Sequence, residues 1–177
     1  ANFAHLRVTD IGAGLGGVQC TAAPSSHGLA AGLHIASDKG GVVDHTVILG
    51  VSSPGESMGI SFGQTVNKGG ADIPTTVHNS IVSNTGTGGV DAITDGWVEI
   101  SYSLIFDTNQ PIAETVQAGL GLVLDQSPHF VNASGANVHL LPFSPAIDAG
   151  HPASEFDNEP EPNGGRVNMG YYGNTDE

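Results

Sequence analysis

Residues 79–90 read Asn79-Ser80-Ile81-Val82-Ser83-Asn84-Thr85-Gly86-Thr87-Gly88-Gly89-Val90. A short apolar stretch leads through a polar, glycine-rich turn to a glycine followed by a β-branched residue. That is the pattern of a short strand, a bend and a second short strand. The unit recurs along the chain. His5-Leu6-Arg7-Val8 leads to Gly17-Val18, Thr46-Val47-Ile48-Leu49 leads to Gly59-Ile60, and Ser103-Leu104-Ile105-Phe106 begins a fourth pass. Successive passes stand from about 23 to about 42 residues apart. A constant strand pair at variable spacing is the mark of a parallel β-solenoid, whose loops extrude from a fixed coil. A β-sandwich would show more even strand spacing and clearer two-residue hairpins.

The rest of the chain agrees with an all-β reading. No segment longer than a turn or two carries apolar residues at helical spacing. Strands are expected at 4–8, 32–36, 42–49, 59–62, 75–82, 89–93, 97–100 and 103–106, with further short stretches at 120–124 and 138–141. The 26 glycines among 177 residues fall without a three-residue period, which excludes collagen and suits many tight turns. A hydrophobic fraction of 38% is too high for a disordered acidic tail. From Gln126 the texture turns to proline, asparagine and glycine, so residues 1–125 are read as the coils and 126–177 as a closing segment of the same domain.

Charge excludes several functions. Only 4 residues are Lys or Arg against 18 Asp or Glu, a formal net charge of -14. No basic patch can form for nucleic acid, an anionic membrane surface would repel the chain, and no apolar run has the length of a spanning helix. The single Cys20 excludes an intramolecular disulfide and a cysteine-based zinc cluster. The chain opens Ala1-Asn2-Phe3 with no basic-then-apolar leader, as a mature secreted protein or an excised piece would.

Three motifs near the end carry a resemblance. They are Asp125-Gln126-Ser127-Pro128-His129-Phe130-Val131, then Leu140-Leu141-Pro142-Phe143-Ser144-Pro145-Ala146-Ile147-Asp148-Ala149-Gly150, then Glu161-Pro162-Asn163-Gly164-Gly165-Arg166-Val167-Asn168-Met169-Gly170-Tyr171-Tyr172-Gly173-Asn174-Thr175. In this order they resemble the C-terminal end of secreted bacterial right-handed parallel β-helix proteins of the pectate-lyase-like superfamily. The resemblance covers roughly the last third of the chain. It implies a right-handed parallel β-helix of about four coils with an irregular C-terminal cap, forming the end of a longer protein. It also implies an extracellular or cell-surface location. The superfamily mixes surface proteins with polysaccharide-active enzymes, so fold is implied more firmly than function. Within the cap, the planar fork of Arg166 suits a carboxylate such as Asp148. That pair is expected to pin the tail across the open end of the helix, where an uncovered β-edge would invite pairing.

The candidate sites are few. Asp91, Asp95 and Asp107, with Glu99 on a strand expected to neighbour that of Asp107, are the carboxylates for glycoside hydrolysis, which needs two carboxyl groups roughly 5 to 10 Å apart. Lyase chemistry needs cationic groups, and only Arg7, Lys39, Lys68 and Arg166 exist. Asp157, Glu159 and Glu161 alternate in a loop and offer hard oxygen ligands for calcium. Trp97 and Tyr102 are candidates for stacking on sugar rings. His5, His45 and His78 hold comparable places in successive passes, as a hydrogen-bonded stack on one face would require. Gly12-Ala13-Gly14-Leu15-Gly16-Gly17 matches a dinucleotide-binding spacing, but no helix follows to receive a pyrophosphate. The leading expectation is a non-catalytic extracellular β-helix module with a structural or binding role, its partners polysaccharide or other subunits of a surface assembly. The alternative is a polysaccharide-active hydrolase or lyase.

Overall fold

The computed structural model describes residues 2–4, 7–9, 30–35, 41–51, 57–62, 75–92 and 98–176. In chain order its strands begin with β1 (Asn2–Ala4), β2 (Arg7–Thr9), β3 (Ala30–Ile35), β4 (Gly41–Asp44), β5 (Val47–Leu49), β6 (Ser57–Phe62) and β7 (Thr75–His78). They continue with β8 (Ile81–Ala92), β9 (Val98–Ile100), β10 (Leu104–Ile112), β11 (Val116–Ala118), β12 (Val123–Leu124), β13 (Phe130–Asn132) and β14 (Asn137–Leu140). Among the described residues, helix is limited to one 3-10 turn, Ala133–Gly135.

Two sheets are wholly parallel. The first has the order β1-β4-β7-β9-β11. The second runs β12-β10-β8-β5-β2, with β6 joining β3 to the far half of β8. Phe3, Val43, Val77, Ile100 and Ala118 form one continuous row across the first sheet. Val8, Ile48, Val82, Ile105 and Leu124 form the corresponding row in the second. Leu33, Ile60, Val90 and Ile112 form a third. Among the described residues only β13 and β14 pair antiparallel.

The chain passes from the first sheet to the second through a left-handed turn. His45, Asn79, Tyr102 and Gly121 all have positive φ at this turn, and Gly50, Asn84, Asp107 and Asp125 repeat the conformation where the next bend begins. His45 and Gly50, Asn79 and Asn84, and Tyr102 and Asp107 are each separated by five residues. Left-handed backbone favours Gly and Asn or Asp, whose short polar groups bond locally. The expected strands at 42–49 and 75–82 are therefore each two strands divided by a bend. Conversely, β8 runs through Ser83–Gly88, which reads as a turn in sequence, because Thr108 and Gln110 of β10 pair with Gly86 and Gly88.

A buried hydroxyl ladder locks the turns in register. Thr46, Ser80 and Ser103 are fully buried. The Thr46 N–H donates to Ser80 Oγ, and the Ser80 N–H to Ser103 Oγ, both at 3.2 Å. Each hydroxyl in turn donates to the carbonyl two residues back, on Asp44, His78 and Ser101. Backbone groups that the bend removes from the strand ladder thus find partners without water.

The middle strands are apolar on both faces. Ile48, Val82 and Ile105 belong to one core with Val43, Val77, Ile100, Leu33, Ile60 and Val90. Their chain neighbours Val47, Ile81 and Leu104 belong to a second core with Val138, Ala146 and Met169 of the closing segment. Glycine lets the two halves of the second sheet approach: a Cβ on Gly59 would stand 2.2 Å from Val82 Cγ1, and one on Gly89 2.8 Å from Ile105 Cγ2. The glycine-plus-apolar pairs Gly59-Ile60 and Gly89-Val90 do stack in register, and their mate in the preceding pass is Gly32-Leu33. Gly17-Val18 lies outside the described residues.

The closing segment packs along the side of the second sheet, across β5, β8 and β10, where it was expected to cross an open end. The cause is the second apolar row, Val47-Ile81-Leu104, which only this segment covers among the described residues.

Candidate functional site

Three ionisable side chains, Asp44, His45 and His78, gather at the left-handed turns, under the closing segment. Register places His78 beside Asp44 on adjacent strands, and the turn brings His45 and Asn79 next to them. Asp44 Oδ1 receives His45 Nδ1 at 2.9 Å, His78 Nδ1 at 3.0 Å and Asn79 Nδ2 at 2.9 Å. Burial pushes the Asp44 carboxyl upward. The hydrogen bonds and charges of His45 and His78 oppose that and win, holding it well below the usual carboxylate range. His45 is buried, with Gly173 of the closing segment packed against its ring.

Asn79 links this cluster to the closing segment. It has no exposed surface. Its Oδ1 accepts the His151 N–H at 2.6 Å, its Nδ2 also donates to Ser154 Oγ at 2.9 Å, and its carbonyl accepts the Gly170 N–H at 2.7 Å. The His151 ring meets the Tyr102 ring edge-on, with centroids 4.8 Å apart. The Arg166 guanidinium lies over Tyr102, 5.3 Å from the ring centre. Arg166 itself donates from Nε to the Gly150 carbonyl and from Nη2 to the Ala149 carbonyl. The expected pairing with the Asp148 carboxylate is not formed: Arg166 does fasten the cap, but through backbone carbonyls. Asp148 is held from its N–H by Asn168 Oδ1, and its carboxylate packs against Gly164, which is left-handed and has no room for a Cβ.

A second tie is made by Glu159. This carboxylate is buried and accepts three donors: Asn168 N–H and Asn174 N–H at Oε1, and Asn168 Nδ2 at Oε2. Its oxygens are consumed inside the closing segment, while Asp157 and Glu161 are exposed. The three do not assemble as an oxygen-donor cluster. Among the described residues no group of three His, Cys, Asp or Glu is placed to hold a metal ion.

The remaining sequence candidates are dispersed. Asp95 and Trp97 lie outside the described residues, as do His5 and the Gly12–Gly17 match. Asp107 is an exposed left-handed bend residue. Asp91 lies near the far end of β8, where it pairs with Ser61. Thr108 pairs with Gly86 and Ile112 with Val90, so Asp91 and Asp107 are at least five residue rows apart. That is roughly 16 Å of backbone at about 3.3 Å per row, so the ladder does not set the two side by side. Glu99 is in the first sheet and Asp107 follows in the second, so the two are not ladder neighbours. Tyr102 has its ring engaged by His151 and Arg166.

The expected stack of His5, His45 and His78 at comparable places does not hold in register: His78 pairs with Asp44, one residue before His45, and His5 lies outside the described residues. Asp44 and Asn79, which bring the two histidines together, were missed. The available signal was the repeat itself: an acidic or His residue two positions before two of the three ladder hydroxyls, in Asp44-His45-Thr46 and His78-Asn79-Ser80. No helix among the described residues is long and apolar enough to cross a membrane. Comparison with protein-family models, with curated proteins and with solved structures found no match.

Proposed function

We propose that the parallel sheets are the walls of a right-handed parallel β-helix of about four to five coils. We propose further that the chain serves as a non-catalytic extracellular or cell-surface module, structural and binding in role, with polysaccharide or neighbouring subunits as partners. Right-handedness is the hand that parallel crossovers adopt in nearly all sheets. The rows Phe3-Val43-Val77-Ile100-Ala118 and Val8-Ile48-Val82-Ile105-Leu124, advancing together, support the coil reading.

One observation carries the non-catalytic role. The densest ionisable cluster, Asp44 with His45 and His78, is bound up with Asn79 in fastening the closing segment to the turns. A carboxylate held well below its usual range by His45 and His78 is a poor general base. The test pairs glycan-array binding with a reducing-end assay on neutral and acidic polysaccharides. Retention on one glycan class with no new reducing ends supports the module. Turnover of any glycan overturns it.

A further inference from the structure

The closing segment holds a cleft beside these ties. It has a volume of about 200 Å³ and is lined by residues of β14 and of the chain's last turns, among them His139, Leu140, Asn168, Met169, Tyr171 and Tyr172. One wall is aromatic. The His139 and Tyr172 rings are stacked, with centroids 3.8 Å apart and planes 18° from parallel. Tyr171 stands at 87° to Tyr172, with centroids 4.9 Å apart, so the two tyrosines form a corner.

The polar groups of the cleft are held in fixed orientations. Asn137 Oδ1 accepts the His139 backbone N–H at 3.2 Å, so it is the oxygen of that amide. The same oxygen lies 2.7 Å from His139 Nδ1. The proton on Nδ1 therefore faces Asn137, which fixes the ring's orientation. Asn168 is oriented from two sides: its Nδ2 donates to Glu159 and its Oδ1 accepts the Asp148 N–H. The second Nδ2 hydrogen of Asn168 takes no partner among the described residues.

These features define a ligand by its chemistry. The volume is below the roughly 300 Å³ from which pockets for drug-sized molecules begin, which suits a single ring. Aromatic faces beside Leu140 and Met169 ask for an apolar surface on one side of that ring. The oriented Asn168 amide asks for a hydroxyl oxygen on its edge. The buried Glu159 carboxylate behind Asn168 and a chain charge of -14 disfavour an anion. A neutral pyranose, with a C–H face and a hydroxyl rim, meets every one of these conditions. We infer that this cleft is a binding site for a neutral pyranose unit. The inference rests on the proposed binding role and gives it a location.

The test is a ¹H–¹⁵N NMR titration of the full chain with the methyl glycosides of glucose, galactose and mannose. For a ligand of about a dozen heavy atoms at ordinary ligand efficiency, Kd is about 1 mM. One of the three sugars is expected to shift amides confined to 138–140 and 168–173, with saturation. His139→Ala and Tyr171→Ala are each expected to weaken that binding about tenfold or more. Absence of shifts with all three sugars overturns the inference, as do shifts mapping elsewhere. Should a variant fail to fold, the shift map of the unaltered protein decides by itself. Glycan-array binding that survives unchanged in a folded His139→Ala protein overturns this site and leaves the binding role standing. Loss of array binding in the unaltered chain, with the cleft still taking a glycoside, overturns the polysaccharide role alone.

Discussion

Alanine at Ser80 removes one rung of the hydroxyl ladder. Ser80 Oγ is the acceptor of the Thr46 N–H and the donor to the His78 carbonyl, and both Ser80 and Thr46 are fully buried. No water can replace the lost acceptor without opening the turn. A buried backbone donor left unmet costs about 1–3 kcal/mol, and the missing hydroxyl leaves only a small void, so about 2 kcal/mol is expected. With a urea dependence of about 2 kcal/mol/M, the unfolding midpoint falls by about 1 M at unchanged slope. Native domains carry about 5–15 kcal/mol in total, so Ser80→Ala remains folded and measurable.

Urea unfolding followed by far-ultraviolet circular dichroism gives the magnitude, and hydrogen exchange at the Thr46 amide gives the cause. Ser134→Ala serves as the control, because its hydroxyl bonds Asn132 on an exposed 3-10 turn. It is expected to change stability by less than about 0.5 kcal/mol. If Ser80→Ala matches Ser134→Ala in stability and the Thr46 amide stays protected, the ladder carries none of the weight assigned to it.

Gly59→Ala drives a methyl into Val82 Cγ1 and to 2.7 Å from the Gly89 carbonyl, which is backbone and cannot yield; a loss of about 1–3 kcal/mol is expected in the same urea assay. Glu159→Gln turns one acceptor oxygen into an amide facing the Asn168 Nδ2 donor. Loss of a charge-assisted bond, about 1.5–3 kcal/mol, should show as faster limited proteolysis within 150–176, and unchanged cleavage would argue against this tie. Asp44 is held below the usual carboxylate range by His45 and His78, against the upward push of burial. Its stabilising contribution is therefore present above the unfolded value near 4 and fades as the pH falls below it. The gap in urea midpoint between the unaltered chain and Asp44→Asn should hold steady above about pH 5 and narrow between about pH 4 and pH 2; a gap that widens on acidification contradicts the assignment.

The parallel sheets were legible because Thr46-Val47-Ile48-Leu49, Asn79-Ser80-Ile81-Val82 and Ser103-Leu104-Ile105-Phe106 repeat one strand, and Gly59-Ile60 and Gly89-Val90 repeat another. The bends were not, because His45 and Asn79 sit inside runs whose propensity reads as continuous strand. Propensity is blind to a left-handed residue when no glycine or proline marks it. The extent of β8 was hidden for the opposite reason. Its glycines and Asn84 signal a turn, and pairing with β6 and β10 overrides that signal. Ligand candidates chosen by residue type alone fared unevenly. Glu159, chosen as a calcium ligand, proves to be a tie within the closing segment, and Arg166, expected to pair with Asp148, ties it through other groups; their partners, the backbone groups of Asn168, Asn174, Ala149 and Gly150, leave no trace in side-chain chemistry.

The position of the closing segment follows from an unread feature of those same strands. Val47-Ile48, Ile81-Val82 and Leu104-Ile105 are apolar at consecutive positions, and consecutive strand residues point to opposite faces. Such a strand must be covered twice. The first cover comes from the facing strands of the inner core, and the second can come only from chain outside the repeat. Residues 126–176 supply it with Val138, Ala146 and Met169. Apolar cover alone is non-directional and would not fix where the segment lies along the sheet. Asn79 fixes it, because one buried residue bonds the turn through Tyr102, the neighbouring strand through Asp44, and the segment through His151, Ser154 and Gly170. The polar cluster at the turns is thus the register mark of the second cover.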